Sequence, residues 1–417
     1  MKYPIANYNR PETILFISSY PEKGVRYSKK VCAVGGFTKN TIEHMGQKRK
    51  YVILTVKVGK EKQIYEEDSA LVCRIIDRKN PLSFIPFIEF FLRFNRIKNV
   101  VVEFEFGSFG TIYNTLVFSL MFLIIRLLNK NLFTVIHQIT ESLDDINEHL
   151  GWAKKSIKTR IYGWGIRFYY TYITVLSNTV VTTEEIFKKR LRSITEVKTE
   201  KIKCIPHGVD TQIPIKSKMQ SRRKLGLPLN KKIVLFFGYL GWYKGADLFL
   251  EYASKCTDDD YYFVIAGGPS FTNGKKAFYR KYLEKFKNLP SNVRLSGFVP
   301  EDLISRYYAA SDVVILPYRY MMSSSGPLSL AFSMKKPILL SDKLLPYLKS
   351  TDFKKTLEKN KLGYEHMFFD LDFHSFMNKL KNIPMKKMKN FSQEMRTKRK
   401  YDVTAGKLSA LISSYKI

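Results

Sequence analysis

The sequence predicts an α/β fold of two doubly wound parallel sheets, because short apolar runs alternate with helical stretches along the whole chain. A length of 417 residues also exceeds what one hydrophobic core usually supports, so two domains are expected. Ligands of such folds bind beyond the carboxyl ends of the strands, which makes the loops after these runs the candidate functional segments. The strand-like runs are residues 13–18, 50–58, 99–104, 132–136, 179–182 and 203–206 in the first half, and residues 232–237, 262–266, 292–295, 312–316 and 337–340 in the second.

The domain boundary is expected near residue 213, within a stretch from 210 to 221 that breaks any regular period. The prediction is an N-terminal domain of residues 1–213 and a C-terminal domain of residues 214–385. A basic segment of residues 386–417 follows, and its helix is expected to pack back across both domains.

Cysteine usage and hydropathy narrow the class of protein. Four widely spaced cysteines, Cys32, Cys73, Cys204 and Cys256, have no CxxC pair and no neighbouring histidine, which indicates reduced thiols and no metal site. The N-terminus lacks the apolar core of a signal peptide. The most apolar run, residues 116–128, is shorter than the roughly 20 residues that a spanning helix needs. A cytoplasmic location is expected.

The net charge of +33 predicts an affinity for polyanions, whether nucleic acid, anionic lipid headgroups or phosphorylated substrates, unless it is only the solvated basic surface of a lysine-rich protein. Residues 152–170 interleave tryptophan and tyrosine with lysine and arginine and contain no acid. That composition suits a membrane interface or, equally, an ordinary core, so peripheral contact with the anionic inner face of a membrane is an open alternative. No recognition helix, RNP-like motif or zinc motif accompanies the charge, and no specific nucleic-acid partner is expected.

Three loops of the first half carry candidate residues. Gly35 and Gly36 open a helix, where adjacent glycines would let a ligand approach the backbone, although such pairs are commonly simple turns. Glu103 and Glu105 leave a buried strand, which is costly unless they are paired or functional, and one of them could instead cap the next helix. His137 ends another strand, where it could bond a substrate hydroxyl, donate to a leaving group, or be structural.

Two glycine-rich loops of the second half also follow predicted strands. The first contains Gly238 and Tyr239 and places Lys244 near the start of a helix, where it could meet a phosphate as a point charge. Gly267 lies in the second, as in a loop that accommodates a nucleotide, although glycine after a strand is common.

The segment from 317 to 342 is the most informative part of the chain. Its serine–glycine turn at residues 323–326 opens a short helix predicted over residues 327–334. Such a turn presents free N–H groups and the positive end of the helix dipole to one place, which predicts an anion site, above all for a phosphate. The residues assigned to it are Ser324, Ser325, Gly326 and Leu328.

These segments occur in an order that resembles one enzyme family. The motifs are the paired glycines, the strand-ending histidine, Ile-Pro-His-Gly-Val-Asp at 205–210, the loop at 237–245, Ile-Ala-Gly-Gly at 265–268, residues 292–300, residues 309–317 and the serine–glycine segment. Over nearly its whole length the chain resembles the retaining glycosyltransferases of family 4 (glycosyl transferases group 1). The resemblance implies the GT-B architecture, two Rossmann-like doubly wound domains facing across a cleft.

The resemblance also implies a reaction. A hexose would pass from a nucleoside-diphosphate sugar, bound by residues 214–385, to a glycan or lipid-linked acceptor, bound by residues 1–213, with retention of configuration and without an obligatory metal or other cofactor. His137 would contact the transferred sugar and, with Glu105, is assigned to catalysis. The residues assigned to the donor, with Lys244 neutralising its diphosphate, are Gly35, Gly36, Gly238, Tyr239, Lys244, Gly267, Arg319, Ser324, Ser325, Gly326 and Leu328.

The chain departs from the family's pattern in two respects. Tyr239 stands where an arginine is usual, and Arg319 could supply the missing cation or merely pair at the surface. Met322 and Leu330 stand where two glutamates eight residues apart are usual, and neither can bond a sugar or ribose hydroxyl. The alternative prediction is therefore a GT-B protein that has lost catalysis and binds glycans or scaffolds other proteins. A nucleic-acid binder, resting on charge alone, is the third.

Overall fold

The computed structural model describes residues 5–28, 30–46, 49–269 and 277–415. The chain divides into two compact units. The first unit comprises Met1–Glu141, Gly163–Gly208 and Tyr401–Ile417, and the second comprises Ser142–Tyr162 and Val209–Lys400. The chain crosses into the second unit at Val209, close to the boundary expected near 213, and returns to the first at Tyr401. The segment Ser142–Tyr162, which the sequence placed in the N-terminal domain, packs within the second unit.

Each unit is built on one sheet. The strands of the first are β1 (Ile14–Ile17), β2 (Tyr51–Val56), β3 (Gln63–Glu67), β4 (Ala70–Ile76), β5 (Asn99–Phe104), β6 (Asn131–Ile136), β7 (Thr179–Thr182) and β8 (Ile202–Cys204). Those of the second are β9 (Lys232–Phe237), β10 (Tyr261–Ala266), β11 (Val293–Leu295), β12 (Val313–Leu316), β13 (Ile338–Ser341) and β14 (Phe368–Phe369).

Helices connect most of the strands. Those that precede residue 209 are α1 (Ile5–Tyr8), α2 (Val34–His44), α3 (Pro86–Arg93), α4 (Ile112–Leu127), α5 (Asn147–Leu150), α6 (Ile157–Leu176) and α7 (Glu185–Thr195). Those that follow it are α8 (Lys218–Leu225), α9 (Ala246–Lys255), α10 (Ala277–Leu283), α11 (Glu301–Ala310), α12 (Gly326–Ser333), α13 (Thr351–Lys359), α14 (Tyr364–Met367), α15 (Phe373–Lys381), α16 (Met385–Lys398) and α17 (Tyr401–Ser413).

Both sheets have the doubly wound topology that the sequence predicts. The first has the order β3-β4-β2-β1-β5-β6-β7-β8 and the second the order β11-β10-β9-β12-β13-β14. Every described pairing is parallel except that of β3 with β4. Residues along β1, β2, β5 and β7 are buried at every position, as expected of parallel strands covered on both faces. The prediction of two all-parallel sheets is therefore wrong only at the edge hairpin β3–β4.

The order of the strands determines where ligands are expected. Strand order reverses between β1 and β5 in the first sheet and between β9 and β12 in the second. Loops diverge at such a switch point and leave a crevice beyond the carboxyl ends of the strands. The loops after β9 and β12 contain Gly238, Lys244 and the serine–glycine turn, so these predicted donor residues lie at the switch point of the second sheet.

The C-terminal segment forms two helices. α16 packs against α12 and α13 in the second unit, where Arg399 makes a two-pronged ion pair with Asp352 at 2.7 and 2.9 Å. α17 packs against α2 in the first unit, and beyond it the hydroxyl of Tyr415 lies 2.7 Å from that of Thr179. Each unit therefore holds its own part of the segment that the sequence predicted as one helix.

Candidate functional site

The loop after β9 brings Lys244 to the beginning of α12. Gly238 has a φ of +129°, and a Cβ at this position would lie 3.2 Å from Nζ of Lys244 and 3.3 Å from Cγ of Pro327. The ammonium group also lies 5.9 Å from the ring centroid of Tyr239 and 5.8 Å from that of Tyr243. The loop thus holds one cation between two aromatic rings, beside the positive end of a helix dipole, which is an arrangement suited to a phosphate.

Three glycines let the loops of this site approach each other closely. A Cβ at Gly267 would lie 1.7 Å from the carbonyl oxygen of Gly238, and one at Gly245 would lie 1.9 Å from that of Pro317. Gly238 also donates its N–H to the carbonyl of Ala266 at 3.0 Å. Glycine is therefore required at these positions by the protein's own backbone. The predicted donor residues Gly238 and Gly267 do lie together, and their binding role stays a prediction.

The serine–glycine turn offers fewer N–H groups than the sequence suggests. Ser325 caps α12, with its Oγ accepting the N–H of Leu328 at 3.2 Å, and its own N–H donates to the hydroxyl of Tyr347 at 3.1 Å. Pro327 has no N–H. The N–H of Gly326 keeps no partner among the described residues, and a Cβ there would meet nothing within 4 Å. Gly326 is thus the donor of this turn best placed for a ligand.

Arg319 forms an ion pair with a buried aspartate. Its guanidinium makes a two-pronged ion pair with Asp247 at 2.6 and 3.0 Å and donates to the carbonyl of Trp242 at 2.8 Å. Burial disfavours the charge of Asp247, but the bonds and charges of Arg319 and Lys285 outweigh it and hold the pKa of that carboxyl below its ordinary value. Arg319 therefore ties the loop after β12 to the start of α9, and a contact with the donor stays a prediction.

Two further features of the second unit bear on the site. Met322 and Leu330, where the family's glutamates are usual, are buried with 6% and 9% of their surface exposed. His149, in α5, packs edge-on against Tyr243 with ring centroids 5.1 Å apart. The sequence did not single out His149, because no local pattern shows that Ser142–Tyr162 joins the second unit.

In the first unit, His137 is paired with Glu103. Nε2 of His137 lies 2.6 Å from Oε2 of Glu103, and the two side chains are 8% and 0% exposed. The ring of Phe37 packs edge-on against the imidazole, with centroids 4.8 Å apart. This contact holds the imidazole by Nε2 and leaves Nδ1 without a hydrogen-bond partner among the described residues.

The structure pairs His137 with Glu103 and not with Glu105, whose assignment to catalysis stays a prediction. β5 ends at Phe104, so Glu105 lies in the following turn, where its carbonyl accepts the N–H of Ser108 at 3.1 Å. Burial and then the charge of Glu105 raise the pKa of the Cys32 thiol. Neither glutamate caps α4, since Thr111 does so.

Gly35 and Gly36 lie in the first turn of α2 and are covered by the protein's own chain. A Cβ at Gly36 would lie 3.0 Å from the carbonyl of Arg26, and one at Gly35 would lie 3.2 Å from a methyl group of Val31. The close backbone approach that the sequence predicts for a ligand is made here by the loop after β1. A donor contact at the pair stays a prediction.

The unpredicted hairpin β3–β4 holds this same loop. Arg74 is 1% exposed and donates to the carbonyl of Tyr20 at 2.9 Å, without a carboxylate partner among the described residues. Glu67 accepts the N–H of Gly24 at 2.7 Å and the ammonium of Lys39 at 2.9 Å. Residues 63–67 read Gln-Ile-Tyr-Glu-Glu and contain no apolar run, as suits a half-exposed edge strand, so the sequence gives little sign of β3.

The described part of the chain offers neither a metal-binding cluster nor a membrane-spanning helix. No group of three or more histidine, cysteine, aspartate or glutamate side chains is placed there to hold a metal ion. Within the same ranges, no helix has both the length and the apolar character that crossing a bilayer demands.

Residues 217–347 match the family described as "Glycosyl transferases group 1". The chain is 39% identical over 105 residues to the D-inositol 3-phosphate glycosyltransferase of Corynebacterium diphtheriae, and the match spans 24% of each chain. The chain therefore aligns with only about a quarter of that relative's length.

Solved structures resemble the chain over almost all of its length. Sucrose-phosphate synthase from Thermosynechococcus elongatus has a TM-score of 0.71 at 14% identity, covering 97% of this chain and 98% of that one. Anabaena HepE in complex with UDP-glucose has a TM-score of 0.67 at 13% identity, covering 97% and 100%. These likenesses confirm the GT-B fold of two Rossmann-like domains. The family match lies wholly within the second of the two units.

Proposed function

We propose that the protein is a glycosyltransferase that moves a hexose from a nucleoside-diphosphate sugar to a glycan or lipid-linked acceptor with retention of configuration. The observation that carries the proposal is the meeting of Lys244, Gly238 and the N-terminus of α12 at the switch point of the second sheet. Departure of a diphosphate leaves an oxocarbenium-like sugar and a highly charged leaving group. A fixed cation and a helix N-terminus stabilise that leaving group without reorganising.

Each residue has a definite part in this proposal. Lys244 neutralises the diphosphate, and the N–H of Gly326 adds a hydrogen bond. Tyr239 and Tyr243 hold the ammonium in place by their ring faces. In the first unit, His137 contacts the transferred sugar through Nδ1 while Glu103 holds the ring. A cytoplasmic location, with contact at the inner face of a membrane that carries the acceptor, completes the proposal.

A donor screen tests it. The protein is incubated in turn with UDP- and GDP-sugars, with and without membrane extract, and release of the nucleoside diphosphate is measured. Release that depends on one donor supports transfer, and release stimulated by the extract places the acceptor in the membrane. If no donor were bound and no nucleoside diphosphate were released across the screen, the proposal that the protein is a glycosyltransferase would be wrong.

A second candidate is a protein that binds a nucleotide sugar or a glycan without catalysis. Burial of Met322 and Leu330 where carboxylates are usual favours it, because an apolar side chain cannot bond the hydroxyls of a donor. The two candidates differ in one measurement. Donor binding by calorimetry without nucleotide release, in the presence of the extract, would select the second.

A further inference from the structure

Three helical segments lie side by side on the first unit. The hydroxyls of Tyr169 and Tyr172 in α6 donate to the carbonyls of Thr115 and Ser119 in α4, at 3.4 and 2.9 Å. α4 also contacts the 3₁₀ turn Pro81–Phe84 that leads into α3. The segments therefore form one continuous layer, with α4 in its middle.

The outer surface of this layer is apolar. On α4 the exposed residues recur at the spacing of one helical face, and Leu127 is 76% exposed. On α6, Trp164 is 79% exposed, the highest value among the large hydrophobic side chains of this unit. Soluble monomers seldom expose contiguous apolar surface of this extent unless it binds something. The apolar face is represented by Ile88, Leu92, Leu120, Leu127, Trp164 and Phe168.

The charged residues of α4 and α6 are all basic. α4 and α6 contain no aspartate or glutamate, while Arg126 and Arg167 are exposed on them. On α3 the single acid, Glu89, is paired with Arg93 at 2.5 Å. Exposed tryptophan and leucine bordered by arginine match the boundary between lipid headgroups and acyl chains.

The same charges disfavour a second copy of this chain as the occupant. A two-fold interface would bring the basic borders of two copies together, and like charges across an interface repel. An anionic bilayer presents the opposite charge and an apolar interior at the depth that leucine and tryptophan side chains reach.

We infer that the apolar face of the first unit docks on an anionic lipid bilayer. Leu120, Leu127 and Trp164 insert at the level of the acyl-chain boundary, while Arg126 and Arg167 meet lipid phosphates. The inference rests on the proposed function in one respect, since a lipid-linked acceptor would be encountered on this surface.

Vesicle sedimentation tests the docking. The full chain is mixed with vesicles of phosphatidylcholine alone and of phosphatidylcholine with phosphatidylglycerol. Tighter binding to the anionic vesicles is expected, by about tenfold or more for the two arginines. Equal or absent binding to both would overturn the inference.

Substitutions locate the binding surface. Trp164→Glu and Leu127→Glu are each expected to weaken vesicle binding about tenfold or more, because each removes one inserted apolar side chain. Tyr364→Glu is the matched control, since Tyr364 is 64% exposed on the second unit. Unchanged melting temperatures show that the variants fold. Equal binding by Trp164→Glu, or a dimer in solution that Leu127→Glu dissociates, would contradict docking on lipid.

The test of bilayer docking and the test of the proposed function give independent results. Vesicle binding is measured without donor, whereas the donor screen measures released nucleotide. If the protein bound vesicles but released nucleotide from no donor, docking on the bilayer would be supported and the proposed glycosyltransferase activity would be contradicted. Release from a donor without vesicle binding would refute the docking alone.

Discussion

Oε2 of Glu103 lies 2.6 Å from Nε2 of His137, at the carboxyl ends of the neighbouring strands β5 and β6. Oε1 of the same glutamate is buried and has no hydrogen-bond partner among the described residues. A carboxylate enclosed in this way is stable only while its one partner remains. The pair therefore couples the orientation of the imidazole to a residue that cannot itself reach solvent.

Glu103→Gln should lower nucleotide release while leaving donor affinity almost unchanged. The amide keeps the shape of the side chain but weakens the bond to the ring, which costs about 1.5–3 kcal/mol, or roughly 10- to 100-fold in rate. Glu105→Gln is the control, because Glu105 lies outside β5. A loss in Glu105→Gln as large as that in Glu103→Gln would support the catalytic assignment of Glu105 and contradict a special role for Glu103.

Lys244→Ala should weaken binding of the nucleoside diphosphate by about tenfold or more, since it removes a charge-assisted bond of about 1.5–3 kcal/mol. Calorimetry with UDP and GDP measures the affinity. Lys354→Ala, at a lysine of α13 whose side chain is 63% exposed, serves as the control. Because the ammonium is held between tyrosine rings, Lys244→Arg is expected to recover only part of the affinity. If Lys244→Ala bound the nucleoside diphosphate as tightly as the wild type, the donor would not bind at this loop.

The sequence predicted those parts of the fold that local pattern determines. All eleven apolar runs are strands, because parallel strands covered on both faces require continuous apolar residues. The hairpin β3–β4 was missed. Its edge strand β3 is half-exposed and lacks an apolar run, whereas β4 is buried and its apolar run could have been read from the sequence. β14 was also missed, because two residues leave no readable pattern.

The site was predictable to a similar degree. Lys244 and Gly238 were expected near a phosphate, and strand order does bring them to the switch point. The pairing of His137 with Glu103 could not be predicted from sequence. It depends on where β5 ends, which places Glu103 within the strand and Glu105 in the following turn. Nor could sequence show that Tyr347 takes the N–H of Ser325, since that bond joins elements distant along the chain.

Gly267→Ala should destabilise the second unit by several kcal/mol. The added methyl group would lie 1.7 Å from the carbonyl oxygen of Gly238, and the clash can be relieved only by separating two backbones. Gly326→Ala is the matched control, because its methyl group would meet nothing within 4 Å. Chemical denaturation of both variants measures the difference. Equal stabilities would show that the loops after β9 and β10 are not packed as described.

Lys336 should make the stability of the protein rise with pH. Its ammonium donates to the carbonyls of Ala309 and Ser311 at 3.1 and 2.7 Å, and burial, only partly opposed by the charge of Asp312, lowers its pKa from 10.5 to about 7. From about pH 7 to about 10.5 the unfolded chain therefore binds a proton that the folded protein does not. Over this range, Lys336 raises the free energy of unfolding by up to about 1.4 kcal/mol per pH unit. Below pH 7 the folded protein carries the buried charge, and the full cost of burying it lowers the free energy of unfolding.

The comparison that isolates this effect is wild type against Lys336→Met, by urea denaturation at several pH values from 7 to 10. The free energy of unfolding of the wild type should gain on that of the variant as pH rises, because methionine does not titrate. Lys354→Met, at a lysine exposed on α13, should instead stay parallel to the wild type. Taking differences cancels the titration of tyrosines, several of which also have raised pKa values. A constant difference between wild type and Lys336→Met across the range would mean that Lys336 titrates as it does in the unfolded chain.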